Sequence, residues 1–141
     1  MDFFNAMDIS ATGLITQRYR MNVSSENLAN IDSTRTANGQ PYRRKQVVLE
    51  AVGNIYEPFP QIMGNLSGAR VVEIVEDQTP YRQVNRPGHP DADKNGNVLM
   101  PNVNAVLEMA DIMSATRAYE ANINAFNSAK SMITKSWELS K

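Results

Sequence analysis

Apolar positions recur at helical spacing along both ends of the chain, and between them they gather into short valine-rich runs. Met7, Leu14, Met21 and Leu28 are seven residues apart, and Phe4, Ala11 and the smaller Ser25 fill the three- and four-residue steps. This spacing predicts one helix from residue 3 to about Asn30 with a single apolar seam. Asp32, Ser33 and Thr34 then favour turns over further helix. At the other end Met109, Ile112, Thr116, Tyr119, Ile123, Phe126, Lys130, Ile133 and Trp137 step by three and four, and Met113, Ala129 and Met132 widen the stripe. A second helix is predicted to about Leu139. Asn102 or Asn104 is placed to cap its start, and Glu108 lies in the first turns, where a carboxylate suits the helix dipole.

The middle has a different rhythm. Gln46 to Val52, Ala69 to Glu76 and, more weakly, Tyr81 to Asn85 are predicted strands. Thr36, Asn38, Gly39 and Pro41 mark one loop. Asn54 to Ser67, with Pro58, Pro60 and Gly64, is read as an irregular excursion before Gly68. Two prolines within Arg86-Pro87-Gly88-His89-Pro90 exclude helix there, since each fixes φ and removes a backbone donor. The expected fold class is α+β, with long N- and C-terminal helices pairing as a coiled coil around a small β-rich, loop-rich middle. The expected segments are 1–34 and 102–141 for the coiled-coil core and 35–101 for the outer part.

These helices are weak by composition. Asn5, Asn22, Asn27, Asn122, Asn124 and Asn127 lie inside them, and asparagine is a poor helix former. Polar seam positions such as Arg18 and Lys130 fix register while lowering stability. Each seam needs a partner, either the other terminus or a neighbouring chain, and the periodicity alone leaves both open. A helix over residues 104–139 spans about 50 Å at 1.5 Å per residue, long for a compact domain of this size. The width of the second stripe also exceeds one pairing. Both features favour further helices from other subunits.

Composition narrows the functional classes. The 141 residues carry 14 basic against 15 acidic side chains, so no global field draws the chain to nucleic acid or an anionic membrane, and proteins are the expected partners. No cysteine is present, which excludes disulfides and thiol chemistry. Met1-Asp2-Phe3-Phe4-Asn5 has no basic leader region, so no cleaved secretory signal is expected. No apolar stretch approaches the roughly 18 residues of a membrane helix, and direct membrane insertion is not expected.

Candidate chemistry is sparse. Asp91-Ala92-Asp93-Lys94-Asn95-Gly96-Asn97-Val98 follows the first eight positions of a calcium loop, which makes a calcium-binding or generic coiled-coil scaffold module using residues 91–102 the alternative reading. The twelfth position, however, is Asn102 where a bidentate glutamate belongs. A tight Asn-Gly turn feeding an edge strand at Val98 to Met100 accounts for the segment better. His89 is the sole histidine and sits in a loop, so no histidine pair exists for acid-base work. Arg43-Arg44-Lys45 beside Tyr42 reads as a solvated strand edge or an intersubunit ion-pairing patch. Gly64 and Gly68 lack the Lys-Ser/Thr ending of a phosphate loop. No metal, cofactor or catalytic residue is expected, and the chain is not expected to be an enzyme.

Ser24-Ser25-Glu26-Asn27-Leu28-Ala29-Asn30 followed by Ser33-Thr34 resembles the N-terminal signature of the flagellar rod, hook and hook-associated proteins, the axial proteins of the bacterial flagellum. Thr34-Arg35-Thr36, Gly39, Pro41 to Lys45, Gly88 to Asp93, Pro101 to Asn104, Glu108-Met109, Tyr119 to Asn122, Phe126-Asn127 and Lys130 to Met132 resemble the proximal-rod branch of that family across nearly the whole chain. Ser33, Ala37-Asn38 and Asn97 depart from the usual pattern in single loop positions.

The resemblance implies a structural subunit of the proximal rod, the shaft that crosses the periplasm in the flagellar basal body. It implies export through the flagellar type III apparatus without a cleaved signal peptide. The implied neighbours are copies of itself, rod subunits such as FlgB, FlgF and FlgG, and basal-body ring or adaptor proteins. The implied assembly residues are Ser25, Asn27, Leu28, Ala29, Asn30 and Thr34 of the N-terminal motif. Along the helix seams they are Met7, Leu14, Met21, Met109, Ile112, Tyr119, Ile123, Phe126, Ile133 and Trp137.

Overall fold

A computed structural model describes residues 3–52 and 68–139 of the chain. The element order is α1 (Phe3–Ala29), β1 (Lys45–Val52), β2 (Gly68–Glu76), β3 (Arg82–Asn85), β4 (Asn97–Met100) and α2 (Ala105–Leu139). This is the expected α+β arrangement of two long terminal helices about a small strand-bearing middle. Strand ends shift by one residue from the sequence reading, and the excursion expected at Asn54 to Ser67 lies outside the described residues. Asn104 supplies the cap of α2, its Oδ1 accepting from the N–H of Val106 at 3.0 Å and of Leu107 at 3.4 Å.

β1 pairs with β2 and β3 with β4, as two separate two-stranded sheets. The second is antiparallel, with Arg82 opposite Met100, Gln83 opposite Leu99, Val84 opposite Val98 and Asn85 opposite Asn97. Alternation decides which side of β4 is covered: Val98 and Met100 are buried, whereas Leu99 between them is exposed.

Contacts group the chain into two compact units. The first comprises residues 1–19, 48–73 and 114–141. Among its described residues the buried ones are all small, namely Ser10, Thr16, Ala115 and Ala129. Within it α1 approaches α2 so closely at Gly13 that a Cβ there would lie 2.7 Å from Oδ1 of Asn122. Gly68, at a φ of 119° that side chains rarely adopt, opens β2 directly against the Thr12 side chain, and Thr12 Oγ1 accepts from the N–H of Ala69 at 3.2 Å.

The second unit comprises residues 20–47 and 74–113. It buries larger side chains, Val23, Tyr42, Val98, Met100, Pro101 and Val103, as well as the polar Ser24, Asn27 and Glu108. Here the helices run antiparallel, since Asn27 meets Glu108 while Arg20 meets Asp111.

The covered face of α2 differs from the predicted seam. Ile112, Tyr119, Phe126 and Ile133 are half-buried, and the positions alternating with them are Glu108, Ala115, Asn122 and Ala129. The expected alternates Met109, Ile123 and Lys130, one residue further on, are exposed, and Thr116 is half-buried. Apolarity steered the sequence reading toward Met109 and Ile123, whereas an approach as close as that at Gly13 and Asn122 demands small side chains.

Candidate functional site

The most constructed site lies in the second unit, where the end of α1, the start of β1 and the first turns of α2 meet. Asn27, 1% exposed, is its centre. Its Nδ2 donates to the Lys45 carbonyl at 2.8 Å and to Glu108 Oε2 at 3.1 Å. Its Oδ1 accepts from the Lys45 N–H at 2.8 Å and the Tyr42 hydroxyl at 3.0 Å. One amide thereby satisfies both donors and both acceptors inside the protein, which fixes its orientation.

Glu108 is fully buried, and its second oxygen accepts from Arg44 Nε at 2.5 Å. Arg44 also faces Asp77 at 3.6 Å and Asp111 at 3.5 Å. Burial works against its charge, but the hydrogen bond to Glu108 and the three surrounding carboxylates raise its pKa above the ordinary value.

Asn102 extends the network. Its Oδ1 accepts from the Arg44 N–H at 2.8 Å, and its Nδ2 donates to the Asp77 carbonyl at 3.0 Å and the Thr79 hydroxyl at 2.8 Å. The Thr79 N–H donates to Asp77 Oδ1 at 2.9 Å. That bond holds the Asp77 carboxyl below the usual range against its partial burial, with help from the Thr79 hydroxyl and Arg44. Tyr42 is pushed up to about 12, first by burial and then by the charges of Glu26, Glu108 and Glu76. Arg43 packs its guanidinium 4.4 Å from the centre of the Tyr81 ring and donates to the Asp77 carbonyl, while Lys45 pairs with Glu26. The basic run is therefore an internal clamp, where the sequence suggested a solvated edge or an intersubunit patch. Its acids come from positions 19 or more residues away, beyond any local pattern.

The other motif residues take separate places. Ser25 and Ala29 are exposed, Leu28 is half-buried, and Asn30 folds its amide back onto the Glu26 carbonyl at 2.9 Å. Thr34 donates to Asp91 Oδ2 at 2.9 Å, and Arg35 pairs with the same carboxylate at 3.3 Å. Asp93 spends Oδ1 on the backbone N–H groups of Asn95 and Asn97. Both aspartates of the calcium-like stretch are thus engaged in shaping their own loop and anchoring its neighbour. Among the described residues no group of three acidic, histidine or cysteine side chains could hold a metal.

Of the seam residues, Met7, Leu14, Met21, Ile112, Tyr119, Phe126 and Ile133 are half-buried, whereas Met109, Ile123 and Trp137 are exposed. Glu108, Arg44, Tyr42, Asn102 and Asp77 are the site residues that sequence reasoning missed. The available signal was Glu108, a carboxylate four residues before Ile112 and so in line with the seam.

No described helix is long and apolar enough to cross a membrane. Residues 7–35 match the family described as Flagella basal body rod protein, and residues 94–136 match Flagellar basal body rod FlgEFG protein C-terminal. The flagellar basal-body rod protein FlgC of Bacillus subtilis (strain 168) is 42% identical over 153 aligned residues, covering all of both chains. FlgC of Salmonella typhimurium (strain LT2) is 44% identical over 140 residues, covering 99% of this chain and 98% of the relative. FlgC of Aquifex aeolicus (strain VF5) is 39% identical over 138, covering 98% and 97%.

Proposed function

The chain belongs to the FlgC family of flagellar basal-body rod proteins, and from that premise we propose that its terminal helices build the proximal rod by packing against copies of themselves and against other rod subunits such as FlgB, FlgF and FlgG. As a rod protein it is a structural subunit of the basal body. Catalysis has no part in this role: close packing that resists shear carries torque. Ring or adaptor proteins border the shaft as it crosses the periplasm, and the chain reaches it through the type III export apparatus with no signal removed. Segments 1–34 and 102–141 form the coiled-coil core and 35–101 the outer part.

One observation carries the reading. Phe4, Ile15 and Tyr19 of α1 and Met109, Met113, Ile123, Met132 and Trp137 of α2 are large apolar or aromatic side chains left exposed along the two helices. Such stripes suit further helices that cover them on assembly. Contacts between unlike faces then generate an open helical array.

The test is incorporation. Leu14→Pro or Ile123→Pro removes a helix hydrogen bond at a cost of about 3 kcal/mol. Each variant is expected to be made and exported yet to be missing from purified basal bodies, with motility lost. Normal basal bodies containing either variant contradict the proposal.

A further inference from the structure

Within the first unit, α1 and α2 each carry an uncovered stripe with the same spacing of charge. Asp8, Ala11, Ile15 and Arg18 follow steps of three, four and three residues, as do Glu120, Ile123, Asn127 and Lys130. Such steps keep each set along one line of its helix. The α1 line lies on the side away from Gly13 and its contact with Asn122, since Asp8, Ile15 and Arg18 are exposed while Ser10 and Thr16, beside Gly13, are buried. Ile15 is 56% exposed, and Ile123 is exposed in the middle of the α2 line. Asp8, Arg18, Glu120 and Lys130 are all exposed, and none has an ion-pair partner among the described residues.

We propose that these two lines meet between copies of this chain, α1 of one running antiparallel to α2 of a second, with Arg18 on Glu120, Ile15 on Ile123 and Asp8 on Lys130. Charge selects both the occupant and the register. On each helix the acid precedes the base by ten residues, so antiparallel docking brings each acid onto a base, whereas parallel docking sets like charges together. A slip of one helical turn breaks both pairs. The same register lays Ile15 on Ile123 between the two ion pairs, an apolar layer whose polar neighbours shield it from water. The α1 line faces away from its own α2, so its partner is another molecule, and the chain itself carries the complement. Because the two lines are different surfaces, the contact can repeat from copy to copy. The inference rests on the rod-subunit reading and names one contact within it.

The chain has no cysteine, so an engineered pair reports this contact alone. Full-length protein carrying both Ile15→Cys and Ile123→Cys is incorporated into basal bodies and oxidised, and a disulfide forms only where the two Cβ atoms approach within about 4.5 Å. Non-reducing electrophoresis is expected to show covalent dimers and longer multimers that neither single substitution gives. Monomer only, the outcome if a different rod subunit covers the α1 line, overturns the inference, and so do equal multimers from a single variant. A charge exchange reads the same contact without cysteine. Arg18→Glu is expected to lower incorporation roughly tenfold, and Glu120→Arg in the same chain to restore it. Failure of the second change to restore it overturns the inference. Incorporation of Arg18→Glu at the wild-type level also does so, while leaving the rod reading standing. Loss of the rod reading itself would show as a wild-type chain missing from basal bodies.

Discussion

Asn27 illustrates how much one side chain can fix. Its amide presents two donors to the Lys45 carbonyl and Glu108, and two acceptor positions to the Lys45 N–H and Tyr42. An aspartate of the same shape turns the Nδ2 edge into an oxygen 3.1 Å from the Glu108 carboxylate. Asn27→Asp is therefore expected to destabilise the protein by about 3 kcal/mol at pH 7, where two anions face each other in a buried site. Denaturant unfolding at pH 7 measures it, and a variant as stable as the wild type would contradict the assigned geometry.

Tyr42 gives a pH signature on the alkaline side. Because its folded pKa is raised from 10.0 to about 12, the folded state keeps a proton that the unfolded chain releases first. Its contribution is fully present below pH 10 and is lost as pH rises through about 12. Tyr42→Phe is expected to lose about 1 kcal/mol at neutral pH, from one hydrogen bond, and to flatten the alkaline decline. Chemical unfolding between pH ~9 and ~12 reads both effects.

Among elements, the helices, strands and cap were legible because their signals are local. Period seven gave α1 and α2, valine runs gave β1 and β2, and Asn104 sits where a cap belongs. What the pattern hid was which narrow line of each helix is covered. Small and polar residues such as Ala115, Asn122 and Glu108 carry little hydrophobic signal, and their role emerges only from the closeness of approach, whereas Ala129 already stood in the predicted stripe. The Asn27 site was half legible: the motif pointed to Asn27, but its partners at Arg44, Asn102 and Glu108 are joined by folding and not by spacing. A direct element-scale test is Gly13→Val, whose side chain would enter space held by Asn122. A thermal stability loss of about 1 to 3 kcal/mol is expected, partly recovered by Asn122→Ala. Additive losses in the double variant would show that the two positions do not touch.

On the scale of the whole molecule, the two units are stabilised in different ways. Residues 20–47 and 74–113 hold buried valines, Tyr42 and Met100 together with a satisfied ion-pair network. Residues 1–19 and 114–141 are held by contacts at Gly13, Thr12 and the small residues Ser10, Thr16, Ala115 and Ala129, while large apolar side chains face outward. Cavity-free burial of large groups is what gives local stability, so opening should be easier in the first unit. The sequence suggested terminal helices weak along their whole length. The structure refines this, because the inner turns, Arg20 to Ala29 of α1 and Ala105 to Met113 of α2, belong to the better-built unit. A preformed unit with helical ends completed by neighbours suits a chain that becomes fully ordered as it joins a rod.

Amide hydrogen exchange of the full chain, alone and within purified basal bodies, tests that division most directly. Strong protection in the free chain is expected for residues 20–29 and 105–113, with fast exchange over 4–19 and 114–139 that slows only upon incorporation. Uniform, strong protection of both helices from end to end in the isolated chain would contradict it.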